Sequence, residues 1–345
     1  MNNRANYLRL GVLAILWGAS FLLIKVGLEA LSPVQIAFAR IALGALVLLL
    51  LCALWGIRLH GGGTAEARAL WRNVTIAALF GNTLPWVLFG LGEQTVSSGL
   101  TGVLNATTPL WTMLFGLLFG VERTLAPTRF AGLMLGFGGV VLILAPWNGN
   151  GVFGWGVLAC LAAAVSYGIG FVYIGRSLTG ARINGQQLPP LGLAAMQMTA
   201  ATGLGLLALP IGGLQPVALD PVPLLAVGVL GVLGTGFAFA VHYRIIADEG
   251  ATTASTVTYL MPVVSVLLGW LVLDEQFGVR VLAGMLVVLA GVALSRRKDG
   301  GTSTGGTRSE AASSATSRVV ASKRRSDSEN SEVPGNATCE PQGHE

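Results

Sequence analysis

The stretch LTGVLNATTPLWTMLFGLLFGVERTLAPTRFAGLMLGFGGVVL, residues 100–142, has a partner later in the chain, ASTVTYLMPVVSVLLGWLVLDEQFGVRVLAGMLVVLAGVAL, residues 254–294. The two stretches share a proline, a glutamate and a glycine at matching places: Pro109 with Pro262, Glu122 with Glu275, and Gly139 with Gly291. Both are strongly apolar. A duplicated apolar unit of this kind is typical of a transporter built from two related halves.

The composition indicates a membrane protein, because 53% of the residues are hydrophobic and only 11% are charged. About ten apolar stretches follow one another, at residues 8–28, 34–55, 74–91, 100–119, 131–146, 152–174, 191–209, 222–241, 252–273 and 281–294. Most approach the roughly 20 residues that a helix needs to cross a bilayer. Backbone polar groups in lipid must bond within their own segment, which a helix allows. The sequence therefore predicts an all-α integral membrane protein with about ten transmembrane helices.

The basic residues of the loops predict the orientation. If the N-terminus is cytoplasmic, almost all basic loop residues lie inside and only Arg280 lies outside, as the positive-inside rule requires. Both termini are then cytoplasmic, and two repeats of five helices must be inverted relative to each other. We expect repeats at residues 1–147 and 148–298, and a polar, disordered cytoplasmic tail at 299–345. Glu122 and Glu275 would lie on opposite sides of the membrane, which favours a structural role in the helix-to-helix turns.

Two further pairs of matching motifs occur in the same order in both repeats, and they indicate a family resemblance. WGASF at 17–21 aligns with YGIGF at 167–171, and residues 33–40 align with 190–197. Together with Pro109 and Pro262, and with the glutamate and the glycine that follow each of these prolines, these motifs resemble those of the EamA-type, ten-helix members of the drug/metabolite transporter superfamily. The resemblance covers residues 8–294. It implies an inner-membrane carrier, often an exporter of amino acids or other small metabolites, with a central cavity lined mainly by the third, fourth, eighth and ninth helices.

Three prolines indicate where the predicted helices are broken. Pro85, Pro109 and Pro262 have no N–H, so each leaves the carbonyl four residues earlier without its helical donor. A free carbonyl inside a membrane is costly unless a neighbour, water or substrate satisfies it, and paired breaks in two repeats point to a transport site. The eighth stretch has glycines in place of a proline. Kinks and close helix packing are the alternative interpretation of these residues.

Polar and aromatic residues near these breaks are the candidate substrate-binding residues: Asn82, Trp86, Asn105, Phe239, His242, Thr258 and Tyr259. A few polar groups within apolar walls suit a small metabolite. The alternative is that these residues bond and pack between helices.

Two cations lie within the predicted spans. Arg40 lies about seven residues, roughly 10 Å, inside the outer end of its helix, where a charge costs about 2.5–3.5 kcal/mol. We expect it to face the bundle and to pair with Glu93 or with a substrate carboxylate, and a structural ion pair stays open. Lys25 lies near the outer end of the first helix and is expected to extend to the interface. The second repeat has Gln197 and Gly175 at these two positions.

The function predicted from these features is secondary transport by alternating access, with export of amino acids or related metabolites across the cytoplasmic membrane. The alternatives are a receptor or scaffold, and a transporter of drugs or nucleotide-sugar-like compounds. The sequence has no HExxH, GxSxG or P-loop motif, so neither an enzyme nor ATP-driven transport is expected. The expected partners are a small-molecule substrate and the lipid bilayer, without nucleic acid, cofactor or metal. A homo-oligomer stays open.

Overall fold

The computed structural model describes residues 3–57, 59, 64–121, 127–145, 154–183, 186–249 and 257–295. The predicted tail and Glu122 lie outside these ranges. The described ranges contain ten helices: α1 (Asn3–Gly27), α2 (Pro33–Leu54), α3 (Ala65–Ala78, a π-helix at Leu79–Thr83, and Leu84–Glu93), α4 (Ser98–Asn105 and Thr108–Leu118), α5 (Pro127–Leu144), α6 (Trp155–Ser177), α7 (Pro190–Gly212), α8 (Pro221–Gly231, a π-helix at Val232–Phe237, and Ala238–Glu249), α9 (Val257–Leu273) and α10 (Val279–Ser295). A short antiparallel hairpin lies between α6 and α7. Its strands, β1 (Arg182–Ile183) and β2 (Gln186–Gln187), have two residues each.

Seven of the described helices are long and apolar enough to cross a membrane, namely α1, α2, α3, α5, α6, α7 and α8. Helices α9 and α10 are apolar and shorter, and α4 is divided in two. The predicted all-α membrane protein with two inverted five-helix repeats is confirmed.

The most extensive helix contacts join one repeat to the other. Helix α1 packs along α9, α2 along α7, α3 along α6 and α5 along α10, while α4 contacts α6 and α9. The interior of the protein is therefore formed between the two repeats, so a rearrangement of one repeat against the other changes the surroundings of every buried residue there.

Glycines bring α5 and α10 into backbone contact. A Cβ atom on Gly139 would lie 2.8 Å from the Val288 nitrogen and 3.0 Å from the Gly284 carbonyl oxygen. A Cβ atom on Gly291, its counterpart in α10, would lie 2.4 Å from the Gly136 nitrogen. Small residues at such crossings let membrane helices approach closely. The repeated glycine of the opening motif thus has a packing function.

Side-chain caps fix the starts of two interior helices. Ser32 and Gln35 form a capping box before α2, with the Gln35 N–H donating to Ser32 Oγ at 3.3 Å and the Ser32 N–H donating to Gln35 Oε1 at 2.8 Å. At the start of α4, the Glu275 carboxylate accepts the backbone N–H groups of Ser98 at 2.6 Å and Gly99 at 3.0 Å. Glu275 therefore ties the turn between α9 and α10 to α4, in agreement with a structural role.

Candidate functional site

Helices α3 and α8 each contain a π-helix, at Leu79–Thr83 and Val232–Phe237. In α3 the π-helix lies just before Pro85, and the Leu84 N–H donates to the Leu79 carbonyl. Helix α8 reaches the same geometry without a proline, in a segment containing Gly234 and Gly236. Such π turns occur frequently at functional sites. Because both repeats have a π-helix in the corresponding helix, we take the surroundings of these two π-helices as the candidate site.

The two other prolines behave differently from each other. Helix α4 is interrupted between Asn105 and Thr108, and Pro109 lies in the first turn of its second segment. Helix α9 runs without interruption through Pro262, so the predicted break there is wrong. A proline removes one backbone donor, and the remaining bonds of α9 are sufficient to keep that helix continuous.

The candidate polar residues of α4 and α9 have local partners. Asn105 Oδ1 accepts a hydrogen bond from Thr108 Oγ1 at 3.4 Å, within α4 itself. The Tyr259 hydroxyl donates to the Val292 carbonyl of α10 at 3.3 Å. Thr258 lies in the first described turn of α9. These contacts agree with the alternative interpretation, in which the residues bond and pack against neighbouring parts of the protein and do not bind substrate.

When the repeats are aligned on Pro109 and Pro262, three positions of α3 match three positions of α8: Asn82 with Thr235, Trp86 with Phe239, and Phe89 with His242. Each set faces helices of the other repeat. We call the two sets, with their partners from the other repeat, the first and the second half-site.

The first half-site consists of Asn82, Trp86, Phe89, Tyr167 and Gln197. Gln197 Nε2 of α7 donates to Asn82 Oδ1 at 2.6 Å. Trp86 Nε1 donates to the hydroxyl of Tyr167 on α6, and the Tyr167 ring lies 5.9 Å from the Phe89 ring. Asn82 and Trp86 are 2% and 5% exposed. This half-site is therefore closed and hydrogen-bonded in the described conformation.

The second half-site consists of Trp17, Arg40, Thr235, Phe239 and His242. Arg40 Nε of α2 donates to Thr235 Oγ1 at 3.3 Å, just as its counterpart Gln197 contacts Asn82. The Trp17 ring lies 6.0 Å from the Phe239 ring and 5.0 Å from the His242 ring. His242 Nδ1 is buried without a hydrogen bond among the described residues. The two half-sites therefore repeat the same pattern of contacts with different chemistry.

Arg40 joins the two half-sites. Its guanidinium carbon lies 3.9 Å from the centroid of the Trp86 ring, a cation–π contact. The predicted ion pair with Glu93 is wrong, because both carboxyl oxygens of Glu93 are buried without any hydrogen-bond partner in the described structure. Thr235 and the electron-rich face of Trp86 hold the guanidinium group instead. Its terminal nitrogens donate no hydrogen bond to the described part of the chain.

Lys25 has partners at the end of a neighbouring helix. Its ammonium group donates to the carbonyls of Glu93 at 2.5 Å and Val96 at 3.0 Å. The last carbonyls of a helix have no intrahelical donor and carry the negative end of its dipole. Lys25 therefore caps the C-terminal end of α3.

Sequence reasoning did not assign five members of the half-sites, namely Trp17, Phe89, Tyr167, Gln197 and Thr235. The alignment of the repeats contained the signal for three of them, since Gln197, Thr235 and Phe89 correspond to the candidates Arg40, Asn82 and His242. Trp17 and Tyr167 correspond to each other. Among the described residues, no group of three or more His, Cys, Asp or Glu side chains is placed to hold a metal ion.

We expect the contact between Gln197 and Asn82 to stabilise the fold. Gln197→Ala leaves the Asn82 amide buried without its partner, which costs about 1–3 kcal/mol, and the midpoint of thermal unfolding in detergent should fall. The exposed Gln187 provides the matched control, since Gln187→Ala should leave the midpoint unchanged. In a double-mutant cycle with Asn82→Ala, a coupling energy of at least about 0.5 kcal/mol is expected. Strict additivity would show that the contact does not stabilise the protein.

Comparison with known proteins gives consistent results. A profile of the EamA-like transporter family matches residues 7–145 and 154–297. The uncharacterized inner membrane transporter YedA of Escherichia coli K12 is 30% identical over 296 residues, which cover 80% of this chain and 88% of YedA. An uncharacterized transporter of Archaeoglobus fulgidus is 27% identical over 308 residues, covering 86% of this chain and 99% of that protein.

A solved crystal structure has a similar fold. It superposes with a TM-score of 0.58 at 20% sequence identity, and the match covers 86% of this chain and 98% of the other. At this identity the likeness concerns the fold alone.

Proposed function

We propose that this chain, which belongs to the EamA-like transporter family, exports small carboxylate-bearing metabolites such as amino acids across the cytoplasmic membrane. Membership of the family makes the chain a multi-pass membrane transporter. The substrate class and the direction of transport are the proposed part.

The observation that carries the proposal is the state of Arg40. Its side chain is 6% exposed, lies within a membrane-spanning helix and has no carboxylate partner among the described residues. A buried cation without a counterion is costly, and such residues in membrane proteins usually mark a substrate or ion pathway. A guanidinium group binds carboxylates through two parallel hydrogen bonds. A substrate carboxylate would therefore complete the coordination of Arg40.

The surroundings of Arg40 support a small substrate with an apolar or cationic part. Trp86, Tyr167 and Phe89 form a continuous aromatic group next to the guanidinium. Aromatic faces bind both apolar groups and ammonium groups. An amino acid combines a carboxylate for Arg40 with either kind of group.

The proposed mechanism is alternating access. Because Arg40 contacts Thr235 in one repeat and Trp86 in the other, a carboxylate that binds the guanidinium competes with contacts that join the half-sites. Binding would then favour a rocking motion of one repeat against the other, since the main helix contacts lie between repeats. A ligand shifts such an equilibrium only through different contacts in the two states.

The orientation belongs to the proposal as well. The distribution of basic loop residues supports cytoplasmic placement of both termini. We propose repeats at 1–147 and 148–298, with a cytoplasmic tail at 299–345. Export is proposed because the sequence resembles ten-helix carriers that often export amino acids or other small metabolites.

A metabolite survey tests the proposed function. The medium of cells that overproduce the wild-type protein should be enriched in one or more carboxylates, compared with the medium of cells that overproduce Arg40→Ala in equal amounts. The exposed Arg72 offers the matched control, and Arg72→Ala should retain the enrichment. An identical enrichment with Arg40→Ala, or an enrichment confined to compounds without a carboxylate, would contradict the proposal.

A further inference from the structure

Glu93 is the C-terminal residue of α3 and lies just before the turn that leads to α4. Its side chain is 0% exposed, and neither carboxyl oxygen has a hydrogen-bond partner in the described structure. The hydroxyl of Ser98, at the start of α4, is also buried without a partner there. The end of α3 therefore contains a buried acid that no described contact explains.

The titratable groups around this carboxyl are engaged elsewhere. Those that interact with it electrostatically are Lys25 on α1, Arg40 on α2, Cys160 on α6 and Glu275 before α10. Lys25 donates to backbone carbonyls, and Arg40 contacts Thr235 and Trp86. Glu275 accepts backbone N–H groups of α4, and Cys160 lies 3.7 Å from the Thr101 hydroxyl. The carboxyl thus has neighbouring charges, but no described residue donates a hydrogen bond to it.

Burial without donors favours the neutral acid. An ionised carboxylate at this position would lose its hydration and receive no hydrogen bond in return, which is a large cost. A proton on Glu93 removes the charge and most of that cost.

Glu93 is also specific to the first repeat. In the alignment on Pro109 and Pro262, the second repeat has Ile246 at this position. Lys25, Arg40 and Glu93 are thus three charged residues of one repeat whose counterparts are uncharged. A purely structural role in the shared fold would not require a carboxyl in only one copy.

A cavity of about 530 Å³ adjoins the same segment. It is lined on one side by Thr95, Val96 and Ser97, shortly after Glu93, and on the other by the turn before α10 and the start of α10, including Phe277 and Arg280. Separation of these two segments would bring water toward the end of α3. A route for a proton between Glu93 and the outer side is therefore available when this end of the bundle opens.

We propose that Glu93 is a proton-binding site that couples transport to proton movement. The inference rests on the proposed function for the transport step. In the closed conformation Glu93 carries the proton on its carboxyl oxygen; when the outer end opens, the O–H bond breaks and the proton passes to water. Return of the empty carrier to the cytoplasmic side allows a new proton to bind.

Arg40 links the proton to the substrate. A positive charge favours the ionised form of a carboxyl group near it, and a substrate carboxylate on Arg40 offsets that charge. Carboxylate binding at Arg40 therefore promotes proton binding at Glu93, and by reciprocity the proton promotes carboxylate binding. The two are carried in the same direction, so each carboxylate that leaves the cell takes a proton with it.

Infrared spectroscopy tests the proton site without any substrate. The full-length protein in lipid nanodiscs at neutral pH should show the carbonyl band of a protonated carboxylic acid. Glu93→Gln, which matches the neutral acid in shape, should lose this band, whereas Glu29→Gln, at an exposed site in the turn after α1, should retain it. If Glu93→Gln does not fold, Glu93→Asp should shift the band. An unchanged band in the Glu93 variant would overturn the proposal.

A flux measurement tests the coupling. Vesicles loaded with the carboxylate found in the medium survey should release protons together with the compound when they contain wild-type protein or Glu29→Gln. Glu93→Gln should still exchange internal for external compound, but without proton release. Wild-type flux without proton movement would overturn the coupling and leave the proposed function intact. Absence of carboxylate flux would contradict the proposed function while the infrared result still decides whether Glu93 holds a proton.

Discussion

Replacement of Arg40 by alanine is expected to reduce carboxylate transport about 100-fold. The substitution removes the proposed charge-assisted hydrogen bonds to the substrate, which together contribute about 3 kcal/mol. It also removes the contacts to Thr235 and Trp86 that join the half-sites. Arg40→Lys should retain part of the activity, because an ammonium group keeps the charge and loses the planar, two-point geometry.

The measurement is the initial rate of flux into vesicles, divided by the amount of correctly inserted protein. Arg72→Ala, at an exposed site in α3, controls for the loss of a positive charge. If Arg40→Ala is inserted normally and transports at the wild-type rate, Arg40 neither binds substrate nor holds the half-sites together.

Replacement of Gly139 by leucine is expected to prevent the accumulation of folded protein. A side chain there would meet the backbone of Val288 and Gly284 on α10. Backbone atoms of a packed helix cannot move aside as a flexible side chain can, so the strain falls at the upper end of the cost of overpacking, about 3 kcal/mol or more. The close pairing of α5 with α10 would be lost.

The neighbouring residue Gly138 provides a matched control in the same helix. It is exposed, and a Cβ atom there would meet nothing within 4 Å. Gly138→Leu should therefore give wild-type yields of monodisperse protein on size-exclusion chromatography in detergent, whereas Gly139→Leu should give aggregate. Equal yields from the two variants would contradict the role assigned to this helix crossing.

The helices and the repeat could be predicted from the sequence, because the signals are long and redundant. Runs of apolar residues determine the spans, and the register of Pro109 and Pro262 fixes which residues correspond. Asn82 and Trp86 could be predicted as site residues for a different reason, because they are a polar and an aromatic residue close to Pro85 in an otherwise apolar helix.

The partners of these residues could not be predicted, because they depend on packing between repeats. Arg40 has two kinds of suitable neighbour, a carboxylate and an aromatic face, and only the arrangement of the helices selects Trp86 over Glu93. A proline specifies one lost hydrogen bond, and its surroundings decide whether the helix breaks, as at Pro109, or continues, as at Pro262. The π-helix of α8 has no proline at all, and glycines alone do not distinguish a π turn from close packing.

Exchange transport with a matched pair of compounds tests the central claim most directly, namely that the site recognises a carboxylate through Arg40. Purified protein in vesicles is loaded with the carboxylate from the medium survey, and either the same carboxylate or its primary amide is offered outside. The wild-type protein should exchange the carboxylate at least about 10-fold better than the amide, the difference expected for one charge-assisted hydrogen bond of about 1.5 kcal/mol, and Arg40→Ala should lose this preference. Equal exchange of the acid and the amide by the wild-type protein would contradict the claim.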